Sequence, residues 1–126
     1  MANKERWGTR DLSYSGWHRT LGSELTYTDI DACEYCYKCE APLVLIETAM
    51  DVGQSGKYTV PIYKLAKAAG IPFYLVFYKP VNDSMMLRVK KIGTSEIIPM
   101  DESEYIRFLT SFRLGHKCLI PDPLSD

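Results

Sequence analysis

Two acidic stretches carry the side chains best suited to chemistry. "YTDID", from Tyr27 to Asp31, sets Asp29 and Asp31 on alternate positions, and "APLVLIETAMD", from Ala41 to Asp51, runs through Leu43, Val44, Leu45 and Ile46 before meeting Glu47. An unpaired carboxylate in a protein interior is costly, so Glu47 should be paired, bound to a metal, or placed at a solvent-facing strand end. If both stretches are strands of one hairpin turning near Tyr37–Glu40, Asp29 or Asp31 can approach Glu47. Hard cations such as Mg²⁺ prefer oxygen ligands and take one or two carboxylates together with water and substrate phosphate. A cation held there would polarise a phosphate and activate water for in-line attack. The plainer reading is that these acids are solvated, with Asp29 paired to a nearby Lys or Arg.

The cysteines offer a second chemistry. Cys33, Cys36 and Cys39 are spaced by three, and Cys118 follows His116 near the far end of the chain. Cys36 and Cys39 fall in the connection between the two stretches. With His116 and Cys118 they supply enough ligands for a tetrahedral structural Zn²⁺ that would tie the last helix to the hairpin. Free thiols, with His116 as a favourable charge at a helix C-terminus, account for the same residues equally well. Cys33 is expected to be a buried core thiol. A redox pair of the thioredoxin kind is disfavoured, because this Cys-x-x-Cys does not open a helix after a strand.

Basic residues supply a third set. In Trp17-His18-Arg19, the arginine suits phosphate contact and the histidine suits proton transfer near neutral pH. The competing reading puts Trp17 in the core and the other two on the surface. Lys57, Lys64, Lys67, Lys79, Arg88, Lys90 and Lys91, interleaved with Tyr58, Tyr63, Tyr74 and Tyr78, have the makings of a phosphate-binding patch. Strand and helix alternation alone would also expose many of them.

The elements that must position these groups follow from periodicity and punctuation. "DLSYSGWHRTLG" predicts a helix with Asp11 or Ser13 at its start, Tyr14, Trp17 and Leu21 on one face, and Gly22 at its end. "ELTYTDIDACEY" alternates with period two and predicts a strand, followed by the tight connection "CYKCEA" and the strand "PLVLIET". "AMDVGQSGK" is a loop. "TVPIYKLAKAAG" predicts a helix capped by Thr59, with Pro61 in its first turn, Gly70 at its end and an apolar stripe of Ile62, Leu65, Ala66 and Ala69. "IPFYLVFYKP" and "MMLRVKKIG" are strands joined by the turn "VNDS". "MDESEYIRFLTSFRLGHKC" is a final helix with a capping box at Asp101 and Glu104 and a face of Tyr105, Phe108, Leu109 and Phe112. The order helix, strand, strand, helix, strand, strand, helix is that of an α/β domain, a mixed β-sheet flanked by helices.

The bulk numbers bound the function. A length of 126 residues suits one domain with one core. With 46% hydrophobic and 25% charged residues, the chain is a folding one. Its formal net charge of −1 excludes a global polyanion binder, so nucleic-acid contact needs a local patch. No apolar run approaches the ~20 residues of a membrane span, so no membrane partner is expected. "MANKERWGTRDL" lacks the apolar core of a signal peptide. The expected location is the cytoplasm, where cysteines serve as metal ligands or free thiols more often than as disulfides.

A helix, a strand bearing "DID", a short hairpin, "LVLIE" and a further helix resemble the core of the PD-(D/E)XK nuclease superfamily. The likeness spans roughly residues 11–79, and "YTDIDACEY" with "PLVLIETA" is similar to small phage-encoded members, for which the location would be the host cytoplasm. The resemblance implies a restriction-endonuclease-like core over residues 11–120; residues 1–10, polar and without periodicity, read as a loose arm, and residues 121–126 as a tail. The resemblance also implies a Mg²⁺- or Mn²⁺-dependent nuclease acting on nucleic acid, DNA first. Asp29 or Asp31, with Glu47, would hold the metal. In that family a lysine two residues after the second acid assists catalysis, but Ala49 stands there, so the pattern reads "ETA". Lys57 is the first candidate to replace it, giving Asp31, Glu47 and Lys57 as catalytic residues and Arg19, Lys57 and Lys64 as nucleic-acid contacts. Gln54 and Tyr58 are further candidates for substrate contact. The alternative implied by Ala49 is an inactive descendant on the same fold that binds nucleic acid or a host protein. A homodimer is compatible with either.

Overall fold

The computed structural model describes residues 11–120; the expected arm and tail lie outside the described residues. The element order is α1 (Ser13–His18), β1 (Ala32–Tyr35), β2 (Pro42–Met50), α2 (Val60–Ala69), β3 (Phe73–Val81), β4 (Ser84–Lys91), β5 (Ile97–Met100) and α3 (Glu102–Leu114). The strands form one five-stranded mixed sheet in the order β1-β2-β3-β4-β5. Only β2 and β3 run parallel, and α2 makes the crossover between them; the other pairs are antiparallel.

The apolar runs of β2 and β3 have a simple cause, because both strands are covered on both faces. Val44, Ile46 and Val76, with Leu87 and Val89 of β4, form a buried cluster on one face, under Tyr105, Phe108, Leu109 and Phe112 of α3. Leu45 and Phe73 face the other way and pack with Ile62 and Ala66 of α2. Leu65 was expected in that stripe but is 45% exposed.

Local chemistry sets the boundaries. Gly70 takes the left-handed conformation at φ 72°, and Ile71 N–H reaches back to the Ala66 carbonyl at 3.1 Å, a Schellman-type stop. Asn82 and Asp83 both have positive φ, 50° and 63°, as the two-residue turn of a right-twisted hairpin requires. Asp101 and Glu104 form the expected capping box, with bonds of 2.7 and 3.0 Å. Thr59 occupies the N-cap of α2 without a side-chain capping bond.

Several expectations are corrected. The strand predicted over residues 24–35 is confined to Ala32–Tyr35. Beyond Ala32 the ladder stops because carboxylates take over the backbone donors: Asp31 N–H donates to Glu47 and Thr48 N–H donates to Asp31, side-chain competition of the usual kind. The first helix ends at His18, and Trp17 is 55% exposed instead of in the core. Its ring meets Tyr14 at 5.6 Å, and Tyr14 and His18 both meet Tyr27. Cys33 is exposed, not buried, because it lies on an edge strand with its face opposite Leu45, beyond the cover of α2. The short edge strand β5 was not anticipated; it contains Pro99, a residue that sheets accept mainly at edges. The last helix ends at Leu114, so His116 and Cys118 lie beyond it.

Candidate functional site

The β1–β2 register pairs Ala32 with Ile46, so Asp31 and Glu47 stand next in line, side by side. They lock together through the backbone. Glu47 Oε2 accepts from Asp31 N–H at 2.9 Å. Asp31 Oδ2 accepts from Thr48 N–H at 2.9 Å and from the Thr48 hydroxyl at 3.3 Å. Glu47 is 5% exposed, yet both its oxygens have partners, which is the condition for keeping a carboxylate inside. The second partner is Lys57. Its Nζ lies 3.3 Å from Asp31 Oδ2, 3.4 Å from Glu47 Oε1 and 3.0 Å from the Thr48 carbonyl oxygen. Three oxygens from two neighbouring chain segments therefore converge on one cationic centre.

Lys57 comes from the loop between β2 and α2, and β4 holds that loop. Arg88 donates from Nε and Nη2 to the two oxygens of Asp51 at 3.0 and 2.8 Å, and from Nη2 to the Gln54 carbonyl at 2.8 Å. Its guanidinium lies 4.7 Å from the centre of the Phe77 ring. Lys90 Nζ donates to the Ser55 carbonyl at 3.0 Å. The Gln54 side chain bonds Met50 and Val52 within the loop. Hydrogen bonds from Arg88, and then from the Gly53 N–H, hold the Asp51 carboxyl down at about 2, so it is ionised at any pH where the protein works.

The register across the sheet explains why this face carries the site. Glu47 pairs with Leu75, and Leu75 with Lys90; Ala49 pairs with Phe77, and Phe77 with Arg88. Glu47 and Ala49 thus share the α2 side of the sheet. A lysine at Ala49 would rise from the strand two residues beyond Glu47. Here Lys57 comes from the loop instead.

Of the residues singled out from the sequence, Asp31, Glu47 and Lys57 are together. Asp29 is exposed and lines a separate open groove of about 490 Å³ with His18, Arg19 and Tyr27. Lys64 is exposed on α2. Arg88 and Lys90, counted among the phosphate-binding cations, serve the loop. Gln54 is tied within its own loop, whereas Tyr58 is 79% exposed. Sequence reasoning missed the Thr48 carbonyl, which has no side-chain signature. It also missed Asp51 as the partner of Arg88, a pair separated by 37 positions; the one available signal was the alternation that puts Arg88 and Lys90 on one face of β4.

The second constellation lies at the turn end of the same hairpin. Cys36 Sγ is 3.8 Å from Cys118 Sγ, and Cys39 Sγ is 3.2 Å from His116 Nε2. The four ligand atoms all lie within 4.8 Å of one another, so the cluster has the donors and the dimensions to hold a metal ion. The turn is closed by Cys36 N–H to the Ala41 carbonyl and Glu40 N–H to the Cys36 carbonyl, with Glu40 left-handed at φ 64°. Backbone N–H groups of Cys39 and Lys38 also bond Cys36 Sγ and hold that thiol down at about 7. For Cys39 the Ala41 N–H pulls downward, but burial and the neighbouring Cys36 and Cys118 sulfurs together push it up. Tyr37 at the turn's tip meets the Arg113 guanidinium of α3 at 5.7 Å.

No helix among the described residues is long and apolar enough to cross a membrane. No family model, curated protein or solved structure matches this chain.

Proposed function

We propose that the protein is a metal-dependent phosphodiesterase of the nuclease type, with its metal site at Asp31, Glu47 and the Thr48 carbonyl. The observation that carries this reading is the convergence of those three oxygens on Lys57 Nζ at 3.0–3.4 Å. An all-oxygen half-shell with two carboxylates is what Mg²⁺ or Mn²⁺ takes from a protein, leaving its remaining positions to water and phosphate. When bound there, the ion supplies charge neutralisation at a phosphate and a lowered pKa for an attacking water.

The chain's own groups divide the remaining work. Asp31 and Glu47 would hold the cation and are themselves oriented by the Asp31 and Thr48 N–H groups. Lys57, whose Nζ lies among these oxygens, would donate from its loop to a phosphate oxygen. That is the part the lysine two residues after the acid plays in the superfamily this chain resembles. Arg19 and the exposed ring of Tyr27 line the open groove that holds Asp29 and suit a strand of nucleic acid, by phosphate contact and base stacking. DNA is the first substrate to test.

A second reading has its own observation. Lys57 already neutralises the carboxylates, and Ala49 leaves no further lysine on the strand. The same surface would then bind nucleic acid or a host protein without cleaving. Incubation of wild type and Glu47→Gln with plasmid, single-stranded DNA and RNA, in Mg²⁺ and in Mn²⁺, separates the two. Metal-dependent cleavage lost in the variant supports the nuclease; intact substrates throughout, with retained binding, support the second reading.

A further inference from the structure

We propose that Cys36, Cys39, His116 and Cys118 bind a structural Zn²⁺ that clasps the segment after α3 to the turn of the β1–β2 hairpin. The site is separate from the carboxylates and does not depend on their role.

Geometry carries the argument. A tetrahedral ion with Zn–S bonds of about 2.3 Å has S···S edges of about 3.8 Å; the Cys36–Cys118 separation is 3.8 Å. For one sulfur and one imidazole nitrogen the corresponding edge is about 3.6 Å, against 3.2 Å between Cys39 and His116, a difference that a small χ rotation absorbs. The donor set is soft and borderline, which selects zinc over Mg²⁺ or Ca²⁺. Four protein donors close the coordination sphere, the mark of a structural ion, since a catalytic zinc keeps a position open.

The turn aims its backbone at the sulfurs. Cys36 Sγ receives the N–H groups of Cys39 and Lys38, and Cys39 Sγ receives that of Ala41. Hydrogen bonds of this kind orient metal ligands. Glu40 makes this possible by turning the backbone through the left-handed region immediately after the second cysteine. Three thiols lose their protons to solvent on binding, so loading is coupled to pH and to folding.

The clasp also answers a structural need. After Leu114 the chain has no further regular element among the described residues, and Leu119 is 97% exposed. The packing of Phe112 and the Arg113–Tyr37 contact hold α3 itself, so the clasp bears on the segment that follows it. A zinc ion would join positions 77 and 82 residues apart, a large restriction on the unfolded chain.

The test uses the full chain purified without chelator from zinc-supplemented medium. Elemental analysis should find close to one zinc per chain, released on titration of the wild type with an organomercurial. Co²⁺ exchanged into the site should give the intense visible bands of tetrahedral cobalt and thiolate-to-metal charge transfer. Cys33→Ser should keep the metal, and Cys39→Ser should lose it. Trace zinc, with a melting temperature unmoved by added Zn²⁺ or by chelator, would overturn the proposal. So would a mass showing a Cys36–Cys118 disulfide in the freshly purified protein.

Discussion

Arg88 on β4 grips Asp51 with two hydrogen bonds of 3.0 and 2.8 Å, across a sheet that keeps both side chains partly covered. Arg88 is far from the carboxylates in sequence, yet its pair with Asp51 sets where Lys57 can go. Asp51 is the first residue after β2, and Arg88 also takes the Gln54 carbonyl. The loop therefore leaves the strand along a fixed path and returns Lys57 over the strand it has just left. Phe77 lies beneath the guanidinium and gives it a flat, apolar floor.

Asp51→Asn should reveal this pair through pH. The Asp51 pKa falls from 3.8 in the free residue to about 2 in the folded chain. Its contribution to stability is therefore complete above the unfolded value and is lost as pH falls through the folded one. Urea midpoints of wild type and variant should differ most near neutrality and converge between about pH 4 and pH 2. A gap of constant size down to the acid limit would contradict the assignment.

Lys57→Met separates the two cations that compete for one place. The ammonium sits where the proposed metal binds, so removing it should strengthen Mn²⁺ affinity, by roughly tenfold if the displaced contact is worth about 1.4 kcal/mol. Cleavage should fall by a factor of about 10² to 10³, the range for losing one charged stabilising donor. Calorimetric titration with Mn²⁺ and a plasmid assay read the two effects independently. Weaker metal binding in the variant would count against a shared position.

Glu47→Gln keeps the shape and an acceptor for Asp31 N–H but removes a charge from the oxygen half-shell. The fold should survive, with a loss of about 1–3 kcal/mol, because the amide places a donor where an oxygen faced Lys57. Mn²⁺ binding should be lost. Circular dichroism melting and metal titration of the same sample check both. Unchanged Mn²⁺ affinity would remove Glu47 from the metal site.

Glu40→Gly should stabilise the protein. A non-glycine residue in the left-handed region costs about 1–2 kcal/mol, and the extra freedom of glycine in the unfolded chain returns about 0.4–1 of that. A net gain of about 0.5–1 kcal/mol should appear as a higher denaturant midpoint with an unchanged slope. The variant should hold the same metal content as the wild type.

The fold was legible wherever one local rule decided the outcome. Pro61 and Gly70 bracket α2, Asn82 and Asp83 mark the hairpin, and Asp101 with Glu104 opens α3. The apolar runs of β2 and β3 pointed to strands covered on both faces. What could not be read was decided by tertiary partners. Residues 24–31 alternate like a strand, but the Asp31 and Glu47 carboxylates take the N–H groups that further pairing would need. Trp17 has the character of a core residue, but it is 55% exposed, with its ring against Tyr14. The family resemblance made Lys57 the first candidate for the lysine absent at Ala49 and left Asp29 and Asp31 both open; in the fold Lys57 lies against Asp31 and Glu47. The device that makes it possible, Arg88 holding Asp51, joins β4 to the loop after β2 across β3, a meeting that no local pattern announces.

The sequence distances within the two clusters differ, and this orders their formation in time. Everything that touches Lys57 Nζ lies no more than 26 positions away, whereas the cysteine and histidine pairs span 77 and 82. Short loops close sooner than long ones, and a chain emerging from the ribosome offers its N-terminal half first. Asp31, Glu47 and Lys57 all come from the first half of the sequence, but the loop that carries Lys57 takes its path from Arg88 and Lys90 of β4. The cysteine turn needs His116 and Cys118 as well. The carboxylate cluster is therefore complete with the chain through β4, whereas the cysteine cluster depends on the segment beyond α3.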